Sequence, residues 1–211
     1  MLKLDITKSI GNEFVKASFV HDFGVLAIMG ASGSGKTTLL NTIVGIHSPD
    51  SGFISLDENI IFSKEKNISM RIQDRNVGYV FQDLLLFPNM TLYENIRFPQ
   101  ESKDNIDESF IDDLLLLMKI EHLKDKYPNE VSGGEKQRCA LARAISSKPR
   151  LILIDEGFSA LDSKTKIDIM TNMKKLIHNI GALAVIVTHN PDDADFLADN
   201  YFVFKQYEDE T

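Results

Sequence analysis

Gly30-Ala31-Ser32-Gly33-Ser34-Gly35-Lys36-Thr37 follows the apolar run Val25–Met29 and leads directly into a helical pattern over Thr37–Val44. It satisfies G-x-x-x-x-G-K-[ST] at every position. The glycines let the backbone turn so that successive N–H groups point at one anion. A helix starting near Lys36 adds the positive end of its dipole. Lys36 is expected to face phosphate rather than core and to reach the β- and γ-phosphates. The Thr37 hydroxyl is expected to ligate Mg²⁺, and Thr38 to supply a further contact. A chance glycine turn is the bland alternative, and its placement between a buried strand and a helix argues against it. Such a loop needs a strand, a tight turn and a helix in that order, which commits the chain to an α/β core that binds a nucleoside triphosphate.

Three further apolar runs, Val77–Phe81, Leu151–Ile154 and Ala182–Val187, do not alternate with polar residues. Strands of that kind are buried on both faces, as in a mostly parallel sheet. Helical patterns at Glu135–Ser147, stopped by Pro149, and at Ser163–Asn179 alternate with them. The expected fold is therefore a P-loop NTPase core with N-terminal β elements. All 211 residues form one domain, with a mainly helical lobe inserted over approximately 84–148. Within the lobe, Asp107–Leu123 reads as one amphipathic helix with Phe110, Leu114, Leu117 and Met118 on one side, a stripe best explained by internal packing. Asp107, Glu108, Asp112 and Asp113 crowd its start, where the dipole favours acids.

Each apolar run ends on a chemically useful residue. Gly30 follows the first, Gln82 the second, Asp155 with Glu156 the third, and His189 the fourth, after Thr188. Ligands of open α/β sheets bind outside the carboxyl ends of the strands, so four such endings argue for one shared site. After a full phosphate loop, a strand ending in Asp-Glu reads as a Mg²⁺ ligand, Asp155, followed by a general base, Glu156. Without the loop it would read as an ordinary solvated strand end. His189 is suited to a γ-phosphate contact and Gln82 to Mg²⁺ or water, although a lone histidine after a strand is more often a satisfied polar residue.

Val131-Ser132-Gly133-Gly134-Glu135 precedes the helix Lys136-Gln137-Arg138-Cys139-Ala140-Leu141-Ala142-Arg143. Read plainly, Ser132 is an N-cap with flexible glycines beside it. Ser132 and the bare N–H groups of Gly133 and Gly134 at a helix start also make a second anion cradle. Because the first cradle already holds the phosphates of one ATP, the second calls for a different ATP, most simply on another copy.

Taken together, these motifs strongly resemble the nucleotide-binding subunit of ABC transporters, in the family's order and over essentially the whole chain. Gly30–Thr37 is similar to its Walker A loop, Gln82 to its Q-loop, and Val131–Glu135 to its signature. Asp155 and Glu156 are similar to the Walker B pair, Ser159-Ala160-Leu161-Asp162 to the D-loop, and His189 to the switch histidine. The resemblance implies an ATPase using ATP and Mg²⁺, with Lys36, Gln82, Glu156 and His189 catalytic, and Thr37, Gln82 and Asp155 at the metal. It implies a head-to-tail homodimer or pseudo-dimer with two ATPs sandwiched between Walker A of one copy and the signature of the other. It also implies a transmembrane permease, whose docking groove Leu84–Asn89 would help form, and an extracytoplasmic substrate-binding protein.

The opening Ile10-Gly11-Asn12 and the run Val77–Pro88 make the chain importer-like, closest to molybdate-type oxyanion importers. Glu135 stands where the family has glutamine, Gly157 where proline is usual, and Asn190 where aspartate is common. Gly157 is expected to loosen the loop toward Asp162. Phe14 is the nearest candidate for an adenine-stacking aromatic, with a core phenylalanine as the equal alternative. Tyr207–Thr211 reads as a solvated acidic tail.

Composition narrows the partners. A net charge of -8 argues against generic binding to nucleic acid. One cysteine, Cys139, leaves no internal disulfide and fits a reducing compartment. The longest apolar run, Ala182–Val187, is far below the roughly 18–20 residues that span a bilayer. The expected location is cytoplasmic, peripheral on the inner face of the membrane through the permease. A soluble ABC-type ATPase acting on DNA or ribosomes would need inserted arms or a second fused ATPase. An ATP-binding adaptor without turnover is disfavoured by Lys36, Asp155, Glu156 and His189.

Overall fold

Leu2, Leu4 and Ile6 are almost fully buried, with Lys3 and Asp5 between them facing the other way. That period of two makes β1 (Leu2–Ile10) a strand with one core face. It pairs antiparallel with β2 (Glu13–His21) and with β4 (Ser51–Leu56), which continues into β5 (Asn59–Ser63) and β6 (Ile68–Ser69). Leu2 stands opposite His21 on one side and Leu56 on the other, so the three strands share one buried face. The computed structural model describes residues 1–10, 13–101 and 106–204. The expectations placed on Gly11, Asn12 and Tyr207–Thr211 lie outside the described residues.

Packing separates the chain into two compact units, Met1–Val77 with Leu183–Thr211, and Gly78–Ala182. In the first, β3 (Val25–Met29) runs parallel between β9 (Leu183–Val187) and β10 (Asn200–Val203). The fully apolar reading of β3 and β9 holds, since all of β9 and all of β3 but Met29 are buried. Helix α1 (Lys36–Val44) leaves the loop after β3. Its far end is closed by Arg75, whose guanidinium donates to Ile43 O at 2.9 Å and to Met70 O at 3.0 Å. Arg75 is only 4% exposed. Burial lowers its pKa, yet carbonyls at a helix C-terminus suit a cation.

The second unit carries β7 (Val77–Val80) and β8 (Leu151–Asp155) with α2 (Leu92–Glu101), α3 (Glu108–Leu117), α4 (Gly133–Ser146) and α5 (Ser163–Asn179). Helix α6 (Pro191–Leu197) belongs to the first unit. The single helix expected over Asp107–Leu123 is a correction. Asp107 caps α3 by accepting from Phe110 N at 3.0 Å, but the helix ends at Leu117, and Lys119 at φ 56° turns the chain into a short 3₁₀ segment at Glu121–Leu123. The buried stripe is Ile111, Leu114, Leu115 and Met118, while Phe110 and Leu117 are half-buried. Helices α4 and α5 match their sequence patterns within two residues, and Lys148 at φ 50° ends the α4 segment just before Pro149.

His21 closes β2 from inside the core. Its Nε2–H donates to Gly24 O at 3.0 Å, and its Nδ1 is buried without a partner. Burial, the largest cause, holds its pKa below the ordinary histidine value. The folded chain therefore keeps His21 neutral, while the unfolded chain takes up a proton below about pH 6.5. This contribution to stability is present above that pH and is lost as pH falls. The melting temperature of the ligand-free protein should drop between pH 7 and pH 5, and His21→Gln should flatten that part of the profile. An unchanged slope in His21→Gln would remove His21 as its source.

Candidate nucleotide-binding site

In the first unit, the parallel pairing of Ile28 with Val187 brings the ends of β3 and β9 together, so Gly30 and His189 leave the sheet at one edge. Gly33 and Gly35 have φ of 78° and 94°, conformations that favour glycine, and Gly35 is the N-cap of α1. Gly33 is exposed, and a Cβ on it would meet nothing within 4 Å, so there is open space beside the loop at that glycine. A Cβ on Gly35 would strike Val15 Cγ2 at 2.5 Å, which shows how closely β2 supports the turn. Ala31, Ser32 and Thr37 are exposed and Thr38 is half-buried.

Lys36 departs from expectation. It is 5% exposed, and its ammonium donates to Ala31 O at 2.6 Å and Gly30 O at 2.9 Å, with Ser34 Oγ at 3.5 Å. The loop is thus held closed on its own lysine, which serves as a structural tie as well as a candidate phosphate ligand. His189 is exposed. The asparagine after it is the N-cap of α6, accepting from Asp192 N at 2.9 Å, a task aspartate and asparagine perform equally well.

In the second unit, Asp155 ends β8 and is 2% exposed. The buried Tyr79 phenol beside it has its pKa driven well up, first by burial and then by the Asp155 charge. Glu156 is half-buried at φ 55°, a left-handed backbone uncommon for a side-chain-bearing residue. Gly157 does not loosen the loop. It is buried, and a Cβ there would meet Ile154 Cγ2 at 2.4 Å and Val80 Cγ1 at 3.6 Å, so the chain is packed against the ends of both strands. Gln82 is exposed just past the end of β7.

The second cradle opens α4. Ser132 caps the helix, accepting from Glu135 N at 3.4 Å, and donates its own hydroxyl to Glu135 at 2.8 Å. Glu135 also accepts from Ser132 N at 2.7 Å, and these bonds lower its pKa and keep it charged. A Cβ on Gly133 would meet nothing within 4 Å, leaving room for an anion, whereas one on Gly134 would lie 3.1 Å from Ala160 O.

Two buried residues of α4 carry no role in the sequence reading. Gln137 bridges to Glu156 and Ala160, and Arg143 donates to Leu84 O at 2.6 Å and Leu85 O at 2.7 Å. Leu84 and Leu85 both have positive φ, and Asn95 binds the following residues through Phe87 N and the carbonyls of Phe87, Met90 and Thr91. Polar residues inside an amphipathic helix were the only available signal for Gln137 and Arg143.

The residues present fit MgATP. Both cradles offer exposed backbone at open glycine positions. Thr37 in the first unit, and Asp155 and Gln82 in the second, each offer the side-chain oxygen that a hard cation requires. No cluster of three or more His, Cys, Asp or Glu residues suited to a metal occurs among the described residues. Among the described residues no helix is long and apolar enough to cross a membrane.

Comparison with known proteins gives one consistent answer. A family model described as ABC transporter matches residues 19–159. The molybdenum import ATP-binding protein ModC of Haemophilus influenzae is 40% identical over 94% of this chain and 56% of its own length. The Fe(3+) ions import ATP-binding protein FbpC of the same species is 37% identical over 94% of this chain and 59% of its own. The chain thus spans little more than half the length of these relatives. A dimeric ATP-binding cassette, MJ0796, solved in a post-hydrolysis state with ADP and Pi, superposes with a TM-score of 0.82 at 32% identity, over 97% of this chain and 94% of that one.

Because Lys36 ties the loop as well as facing its interior, Lys36→Ala should do two things. ATP affinity should fall by at least tenfold, and the ligand-free melt should drop by a few degrees, matching about 1–3 kcal/mol for carbonyls left without a donor. Titration with a fluorescent nucleotide and a parallel thermal melt measure both. An unchanged ATP affinity would remove Lys36 from the phosphate site, and an unchanged melt would remove the tie.

Proposed function

This chain belongs to the ABC transporter family, and we propose that it is the subunit that binds and hydrolyses MgATP to drive import through a partner permease. The observation that carries the reading is the pair of glycine cradles, each at a helix start and each with open space above a glycine. The Gly30–Thr37 loop with Lys36 would bind the β- and γ-phosphates, with Thr38 beside them. Thr37, Asp155 and Gln82 would hold Mg²⁺, which when bound neutralises charge on the phosphate oxygens.

Glu156 would polarise the attacking water, and His189 would contact the γ-phosphate from the same edge as Gly30. Ser132, Gly133, Gly134 and Glu135 would close on the ATP of a second copy. The resulting homodimer or pseudo-dimer opens and closes with each round of binding and hydrolysis. Leu84–Asn89, fixed by Arg143 and Asn95 and with Leu85 55% exposed, would meet the permease. That places the chain peripherally on the cytoplasmic face of the membrane, with an extracytoplasmic binding protein delivering cargo. Relatives named for molybdenum and for ferric iron are similarly close, and cargo contacts belong to other chains. Of the two we favour a molybdate-type oxyanion, on the higher identity.

Two measurements test this. With permease and binding protein reconstituted, molybdate or tungstate should stimulate ATP turnover, and stimulation by ferric iron instead would overturn the cargo. In the isolated chain, Glu156→Gln should slow hydrolysis by about 10²–10⁴-fold, roughly 3–5 kcal/mol of barrier, while ATP binding survives. Removing the carboxylate beside the γ-phosphate also relieves like-charge repulsion. The variant should therefore accumulate as a dimer on size-exclusion with MgATP, and adding Ser132→Arg should abolish that dimer. Near-normal turnover in Glu156→Gln would sink the general-base role, and an inactive variant that stays monomeric would sink the sandwich.

A further inference from the structure

We infer that Gln137 is a positioning residue that fixes the Glu156 backbone and ties it to the start of the helix bearing the second cradle. The inference rests on the reading of Glu156 as general base. Gln137 is 2% exposed and lies two residues beyond the Ser132–Glu135 cap. Its Nε2 donates to Glu156 O at 3.0 Å and approaches Ser159 Oγ at 3.5 Å. Its Oε1 accepts from Ala160 N at 3.0 Å. Ser159 Oγ donates to the same Glu156 carbonyl at 3.1 Å. One amide thus spans the whole turn from Glu156 to Ala160, donating at one end and accepting at the other.

That double role needs a neutral primary amide of this length. A carboxylate cannot donate, and a methionine cannot donate and accepts only weakly. The turn it holds is one that needs holding. Glu156 sits at φ 55°, in a region a non-glycine residue occupies only when its surroundings impose it. A Cβ on Gly157 would meet Ile154 Cγ2 at 2.4 Å and one on Gly134 would lie 3.1 Å from Ala160 O, so neither backbone has room for a side chain where it faces its neighbour. The first turns of α4 and the Glu156–Ala160 turn therefore form one packed body. A phosphate that shifts Ser132 and Gly133 would shift Gln137 with them, and so the carbonyl that sets where the Glu156 side chain starts. In the proposed dimer this couples the ATP held by the signature to the base acting on the other ATP.

The test is a double-mutant cycle on the full chain, read by ATP turnover, ATP affinity and thermal melt. Gln137→Met should cut kcat by about 10- to 100-fold, the loss expected of a displaced catalytic group, while KM for ATP stays within about twofold. In a Glu156→Gln background, measured under single-turnover conditions, Gln137→Met should cost nothing more, because the group it positions is already gone. Gln137→Asn keeps a neutral amide that both donates and accepts but is one methylene too short to span the turn. It should melt closer to wild type than Gln137→Met does and still lose turnover, which separates positioning from folding. Near-normal kcat in both Gln137 variants, with Glu156→Gln inactive, overturns the inference alone. A Gln137→Met loss that multiplies that of Glu156→Gln makes Gln137 merely structural and also overturns it. Near-normal turnover in Glu156→Gln itself overturns the general-base reading and the inference together.

Discussion

Burying a positive charge without water costs several kcal/mol unless oxygen surrounds it, and this chain answers buried cations with main-chain carbonyls. Lys36 takes Gly30 and Ala31, Arg75 takes Ile43 and Met70, and Arg143 takes Leu84 and Leu85. A carboxylate partner would tie one side chain to another. A carbonyl partner ties the cation to a stretch of backbone, and two of these stretches, at Gly30–Ala31 and at Leu84–Leu85, carry function in the proposed reading. The cation gains solvation it could not otherwise have, and the loop gains a fixed path. Neither can be altered without exposing the cost of the other.

That arrangement explains which parts were legible in sequence. The four apolar runs identify strands because burial on both faces leaves a composition signal, and all four match the observed strands within a residue. The Gly30–Thr37 loop is legible because the positive φ at Gly33 and Gly35 favours glycine, which marks the turn in the sequence. Arg75 and Arg143 were not, because their partners are carbonyls, which every residue has and no sequence marks. The C-terminal end of α3 differs for a related reason. Met118, Ile120 and Leu123 follow Leu117, so the apolar pattern runs on, but Lys119 adopts a left-handed backbone that composition does not forecast.

The three departures from the family pattern divide by the same logic. Asn190 replaces an acid at a helix cap and keeps the bond to Asp192 N. Gly157 replaces a ring with nothing, and its neighbour Ile154 fills the space. Glu135 is different, because it replaces a neutral amide with a charge at a helix start. The dipole there welcomes it, and two hydrogen bonds from Ser132 hold it. Those bonds also occupy the serine hydroxyl that the proposed signature would offer to phosphate.

Helix α4 is where these constraints meet. Its cap carries the second cradle, its second turn carries Gln137 against Glu156, and its third carries Arg143 against the turn after Gln82. The sheet supplies the strand ends that bear Asp155 and Glu156, yet those ends alone do not set the path of the loops beyond them. Glu156, Leu84 and Leu85 all hold positive φ, which costs about 1–3 kcal/mol at each such residue. Each is bound by a buried α4 side chain whose own polar atoms would be unsatisfied if the loop relaxed. The strain and the clamp therefore stabilise each other, and a rigid helix is the one element that can impose both at once. The loops that carry chemistry in the proposed mechanism are held by a helix whose exposed end is itself a candidate ligand site.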